Sequence, residues 1–234
     1  MRIALFGSAF GKFEHGQRIA ANNRVDWCLY TGNVGIWPDP LRASRQARKH
    51  GTGEFLDYVA GKKRFLVPSL MVAGKHEDHW WINQKVKKGE GELVPNLHFL
   101  VSGNHTVIDG PNESLRIVGL GGTFSPKPSI IAGNYTKKDV AKACTAGPVD
   151  IFLAHETPHG EKLDHHISQA AGLNTICFAT QPRLLVHNRP SCGYPLHYIT
   201  KSTTTPALAA SNHYTVIIEM DADNYELCSI HSLP

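Results

Sequence analysis

Short apolar runs, each closed at its C-terminal end by a glycine-bearing polar loop, recur along the first third of the chain and limit what it can fold into. Arg2–Phe6 leads into Gly7-Ser8-Ala9-Phe10-Gly11, Val25–Tyr30 into Thr31-Gly32-Asn33, and Leu66–Ala73 into Gly74-Lys75-His76-Glu77. Runs of this length without polar alternation suit strands buried on both faces, and the glycines punctuate them. Between them, Gln17–Asn23 and residues 40–62 are compatible with helices. Further on, Leu97–Val101, Val107–Asp109 and Leu115–Leu120 suggest antiparallel strands, and Asp139–Cys144 suggests a helix. Val149–Ala154 and Arg183–Val186 read as two more strands. Tyr214–Met220 and Tyr225–Ile230, alternating around Asp221-Ala222-Asp223-Asn224, read as a hairpin. The expectation is an α/β fold with two sheets packed together, in one domain over residues 1–234.

The remaining composition excludes little. With 234 residues, 41% hydrophobic and 19% charged, the chain is long enough for a sizeable core. A formal charge of +4 is too small to imply nucleic-acid binding by itself. The five cysteines Cys28, Cys144, Cys177, Cys192 and Cys228 are scattered without CxxC spacing, which points to a reduced compartment and a cytoplasmic location. Met1–Phe6 is too short for a signal-peptide core. No run approaches the ~18 apolar residues of a membrane span, so no membrane partner is expected.

Ligands of open α/β sheets sit outside the C-terminal ends of the strands. Polar residues cluster at those ends here: the three loops above, then Ala154-His155-Glu156 and Val186-His187-Asn188-Arg189. In this order the five loops resemble the site motifs of calcineurin-like metallophosphoesterases: D-x-H, GD, GNH followed by an acid, a lone His, and GHxH. Leu115–Gly122 and Asp150–Pro158 are similar to segments of the lariat-debranching branch of that family. The resemblance implies a four-layer αββα sandwich and a phosphoric ester hydrolase ancestry.

Several ligand positions depart from the family's pattern. Ser8 stands for Asp, Phe10 for His, Asn33 for the bridging Asp, Lys75 for Asn and Arg189 for the second His. Phe cannot ligate, and Arg stays protonated. The resemblance then leaves Asn33, His155 and His187 as residual ligands for at most one divalent metal (Mn, Fe or Zn), and a two-metal centre is not expected. Lys75 and Arg189 bring about +2 of charge to the same place and become candidate phosphate contacts. His76, oriented by Glu77, corresponds to the family's general acid.

Two readings stay open. One is a catalytically impaired protein that binds a phosphate-containing ligand or nucleotide, or serves as a scaffold for a protein partner. The other is an active phosphoesterase with one metal or unorthodox ligands. A third, an RNA-end module, rests on the lariat-debranching-like segments and the basic stretch Arg42–Lys49, which as readily forms a solvated helix face. Ser8 is read as turn chemistry rather than a nucleophile. The literal Gly103-Asn104-His105 is taken as a decoy for Gly74–Glu77, and Trp80 and Trp81 are read as core in preference to a hydrophobic rim over the cleft. The cluster His155, His159, Asp164, His165 and His166 is a candidate metal group or a solvated loop.

Overall fold

Side-chain alternation along β1 (Arg2–Phe6) sets the architecture. Ile3 and Leu5 face an apolar layer shared with Leu29, Leu70, Ile117, Leu153 and Val216. Ala4 and Phe6 face the opposite way, among Phe13, Tyr30, Phe55 and Ile82. A strand buried on both faces belongs in the interior of a sheet covered on both sides.

The computed structural model describes residues 1–50, 52–127, 133–163, 166–167, 170–189, 193–221 and 224–233. After β1 come α1 (Glu14–Asn22), β2 (Trp27–Tyr30), α2 (Arg45–His50), α3 (Phe55–Val59), β3 (Ser69–Met71), α4 (His79–Lys87), β4 (Glu92–Val94) and β5 (Leu97–Phe99). The chain continues through β6 (His105–Asp109), β7 (Ser114–Leu120), α5 (Lys137–Cys144), β8 (Ile151–Ala154), β9 (Lys162–Leu163) and β10 (His166–Ile167). It ends with α6 (Ala171–Thr180), β11 (Leu184–Asn188), β12 (Leu196–Ile199), β13 (Pro206–Ala210), β14 (Tyr214–Met220) and β15 (Tyr225–Ser232).

One sheet has the strand order β15-β14-β1-β2-β3-β5-β4 and the other β12-β13-β11-β8-β7-β6, with β9 and β10 as a separate pair. The centres are parallel, β1-β2-β3-β5 in the first sheet and β7-β8-β11-β13 in the second. Three apolar layers follow. One lies between the sheets. One lies under α1, α3 and α4 through Ala20, Phe55, Tyr58 and Ile82. One lies under α5 and α6 through Ala143, Leu173 and Ile176. This is the αββα sandwich expected from the sequence, and it points the parallel strand ends of both sheets into common ground.

Some local expectations differ from what forms. Leu97–Phe99 does not join an antiparallel run with the strands after it. It pairs parallel with β3, and the chain then crosses to the second sheet, where β6 and β7 form their own antiparallel pair. Both faces of β3 are buried, so the sheet needs a neighbour there. Residues 40–62 break into a 3-10 turn, α2 and α3, with Gly53 at φ +64 before α3. Trp81 packs against the core, whereas Trp80 is 47% exposed with the Arg42 guanidinium stacked over its ring at 4.2 Å. The four cysteines among the described residues are free, and Cys192, like Ala222 and Asp223 of the hairpin turn, lies outside those residues. Among the described residues no helix is long and apolar enough to cross a membrane.

Two loops are knitted before any ligand is considered. Phe10 N donates to Asn33 O (3.0 Å) and Gly11 N to Val34 O (2.7 Å). Gly35, at φ +90, lies so close that a Cβ there would sit 2.2 Å from Gly11 N. Gly61 has a similar φ of +71 with nothing within 4 Å of a Cβ. Gly61→Ala should therefore cost only the left-handed strain, about 1–2 kcal/mol. Gly35→Ala should cost clearly more, because backbone must also move. Urea unfolding of the two variants tests this, and equal losses would show that the loops are not in tight contact.

Candidate functional site

The loops after β1, β2, β3, β8 and β11 meet at one end of the sandwich. Ser8 is held by its backbone N–H, which donates to Asn212 Oδ1 (3.2 Å). Its hydroxyl donates to Asn188 Oδ1 (3.2 Å) and accepts from Asn33 Nδ2 (3.2 Å). Asn33, at φ +52, uses its other amide end to accept from Lys75 N (2.7 Å). Together they form a neutral chain, Asn188–Ser8–Asn33, joined by side-chain hydrogen bonds.

His155 follows β8 and is 8% exposed. Two glycines fold around its ring. A Cβ on Gly32 would lie 2.6 Å from Nδ1, and one on Gly74 would lie 2.9 Å from Cε1. Nδ1 faces Thr31 O at 2.7 Å, which assigns the proton to Nδ1 and leaves Nε2 with a lone pair. Burial pushes its pKa down to about 4, and the Lys75 charge adds to the effect. Lys75 is exposed, and its field also reaches Glu156, so the ammonium stands over this end of the fold. Glu156 itself is raised by burial, while Tyr135 Oη donates to it at 2.6 Å.

His76 is buried in a group of rings. Its imidazole meets Phe10 edge-on at 5.1 Å, Trp37 at 5.9 Å and His50 at 5.8 Å, and Phe10 stacks on His50 at 5.1 Å. Phe10 holds a φ of +49, unusual for a bulky residue and a strain of about 1–3 kcal/mol that surrounding structure must hold. Glu77 acts on the backbone. Oε1 accepts from Val34 N (2.5 Å) and Oε2 from Gly74 N (3.0 Å). Burial raises its pKa to about 7 against the lowering effect of those N–H groups.

His187 and Arg189 lie differently. Leu184 and Val186 face the layer between the sheets, so His187 falls on the outer face of β11. There Nε2 meets Tyr198 Oη at 2.7 Å and Nδ1 meets Asn188 O at 3.0 Å, so both ring nitrogens are engaged. The Arg189 guanidinium lies against Gly193 and donates to Tyr194 O. The sequence reading passed over Asn188, which shares the parity of Leu184 and Val186, and Asn212; strand parity alone marks the former. Gly103-Asn104-His105 forms the turn into β6, with His105 exposed on an edge strand. His159 is exposed, and Asp164 and His165 lie outside the described residues.

These donors do not fit a pair of divalent ions. Among the described residues no three His, Cys, Asp or Glu side chains stand together as a metal cage. Of the three residual ligands, Asn33 is hydrogen-bonded at both amide ends and His187 at both nitrogens, which leaves the Nε2 of His155.

Buried titratable groups make stability pH-dependent. His79, His155 and His187 are pushed from 6.5 down to about 4 by burial, so they take up protons on unfolding between those values. Glu77, raised from 4.5 to about 7, does the reverse, holding its proton in the folded state only. Glu156, also raised by burial, acts with Glu77; three groups oppose two, so stability should fall as pH drops from about 6.5 to about 4. Glu77→Gln removes one opposing group and places an amide N–H against a backbone donor. It should lower stability by about 1–3 kcal/mol at neutral pH and steepen the acid decline. Urea midpoints across this range measure both, and an unchanged slope in the variant would mean that Glu77 does not titrate there.

No family model matches the chain. It is 22% identical over 179 residues to a lariat debranching enzyme of Schizosaccharomyces pombe, a match covering 68% of this chain and 37% of the relative. The match thus spans little more than a third of that relative's length. The fold superposes on TT1561 of Thermus thermophilus with a TM-score of 0.63 at 16% identity over 97% of each chain. It also superposes on a Staphylococcus aureus protein assigned as a 5'-nucleotidase, solved with alpha-ketoglutarate. There the TM-score is 0.52 at 10% identity, over 100% of this chain and 54% of the other.

Proposed function

We propose that this chain, which resembles the calcineurin-like metallophosphoesterases in motif order and has their fold, binds a phosphate-bearing ligand, a nucleotide, without a dinuclear metal centre. The observation that carries this reading is the neutral, hydrogen-bonded Asn188–Ser8–Asn33 chain beside an exposed lysine. A neutral hydrogen-bonded floor near an exposed cation favours an anion over a metal ion. Lys75 is the principal phosphate contact, with Arg189 on the far rim after Asn188. The stacked Phe10–His50 pair offers a ring face for a base, and the exposed cations of α2, Arg45 and Lys49, extend the positive surface. A longer nucleic-acid strand would use the same surface.

A second reading, a phosphoesterase using one metal, is favoured by the His155 geometry. An Nδ1–H held by a backbone carbonyl, with Nε2 left as a lone pair, is how metal-ligating histidines are oriented. In that reading His76 is the general acid, and Glu77, whose oxygens accept from Val34 N and Gly74 N, holds the loop that carries it rather than orienting its ring.

Calorimetric titration with chelator present separates the readings. Inorganic phosphate and AMP should both bind. Lys75→Ala should weaken both about tenfold, since a charge-assisted contact contributes about 1.5–3 kcal/mol. Phe10→Ala should weaken AMP alone. Purified protein should hold fewer than two metals per chain by elemental analysis. Two tightly bound transition metals, or no phosphate compound bound by the wild type, would overturn the proposal, the latter in favour of a scaffold for a protein partner.

A further inference from the structure

Residues 37–50 form a strap that runs from the loop after β2 to the ring cluster at His76. Its underside is apolar: Trp37, Ala43 and Ala47 are buried against one another. Its local geometry is set from within. Asp39 Oδ1 accepts from Leu41 N (3.0 Å) at the start of the 3-10 turn Pro40–Arg42. Ser44 Oγ accepts from Ala47 N (3.0 Å) at the start of α2, and Arg48 Nη1 donates to Ala43 O (2.6 Å). A six-residue helix is too short to persist in water by itself, so what it touches must hold it. His50 is the last residue of α2. It is exposed, lies on Phe10 with 16° between the ring planes, and meets His76 edge-on.

Arg42 ties the strap down. Asp78 Oδ1 accepts from Trp81 N (3.0 Å), which caps α4, and Asp78 N donates to Ile36 O (2.8 Å). Its other oxygen, Oδ2, is buried without a hydrogen-bond partner. Arg42 Nη1 stands 3.4 Å from it, with the Asp78 side chain 4% exposed and that of Arg42 38% exposed. A carboxylate so far from water needs a cation beside it. The Trp80 ring, 4.2 Å from the guanidinium carbon, gives that cation a face to rest on. This contact fixes the strap against α4 just before α2 begins, and α2 covers less than two turns from there to His50.

We infer that Arg42 is a positioning residue for a nucleotide base. By tying the strap to α4 it holds the His50 ring on Phe10, and it sets how strongly the base binds without touching the ligand. The inference rests on the phosphate-and-base reading above and names what governs its base half.

The test uses the full chain with chelator present and calorimetric titration of AMP and of inorganic phosphate. His50→Ala should weaken AMP at least about fivefold, the loss of one stacked ring, and leave phosphate unchanged. Arg42→Ala should do the same, and in a His50→Ala background it should add nothing, because both act through one contact. Arg42→Lys keeps a cation beside Asp78 with a poorer stack on Trp80, and should recover part of the affinity. Trp80→Ala keeps the ion pair and alters an exposed ring, so it should fold normally and fall between Arg42→Ala and wild type; should Arg42→Ala not fold, Trp80→Ala decides. A readout without ligand accompanies these. The ring-proton chemical shifts of His50, displaced by the stacked Phe10, should move toward those of free histidine in Arg42→Ala and Trp80→Ala. Wild type that binds neither phosphate nor AMP would overturn the phosphate reading and this inference with it. Wild type that binds AMP, with variants that bind it equally well or leave the His50 signals in place, would overturn this inference alone. So would an equal loss for phosphate or full additivity with His50→Ala, either of which would show Arg42 acting by its own charge.

Discussion

A single buried carboxylate holds together the end of this sandwich where the strand-end loops meet. Glu77 accepts from Val34 N and Gly74 N, tying the loop after β2 to the loop after β3. Neither loop has regular structure to satisfy its N–H groups, so a side chain must do so. Because that clasp is closed, Asn33 can reach Lys75 N and Ser8, and Gly32 and Gly74 can close on His155. The position that resembles the acid partner of a catalytic histidine here carries the geometry of the whole cleft.

The frame is specified apart from the chemistry at its strand ends. The sheets, their parallel centres and the three apolar layers build an αββα sandwich shared with TT1561. At the strand ends, amides and a hydroxyl satisfy one another. Aromatic rings occupy the space around His76, and Phe10 gives up an ordinary backbone conformation to join them.

The frame was legible because strands buried on both faces leave an unmistakable apolar run. Arg2–Phe6 and Tyr214–Met220 fall where the residues indicate them, and they pair with each other. Residues near the cleft were less legible. His187 matches a motif, yet β-strand parity turns it outward and presents Asn188. Phe10 looks like a lost ligand, and only its ring contacts with His50 and His76 show it as one member of a ring cluster. Helix α6 escaped notice because it has no charged residues and no clear amphipathic pattern, and β13 because Pro206 and four small or apolar residues give little strand signature. Partners far apart in sequence, such as Ser8 with Asn212, leave no local trace at all.

The glycine socket around His155 has one more consequence. With Nδ1–H fixed on Thr31 O and the ring enclosed by Gly32 and Gly74, the imidazole cannot flip to offer its proton. Its remaining nitrogen presents electron density, and burial keeps it from charging at neutral pH. An oxygen of a bound phosphate that meets this nitrogen is repelled when it is bare and welcomed when it carries hydrogen. Under the proposed phosphate binding, the socket would favour a singly protonated phosphomonoester over its fully ionised form.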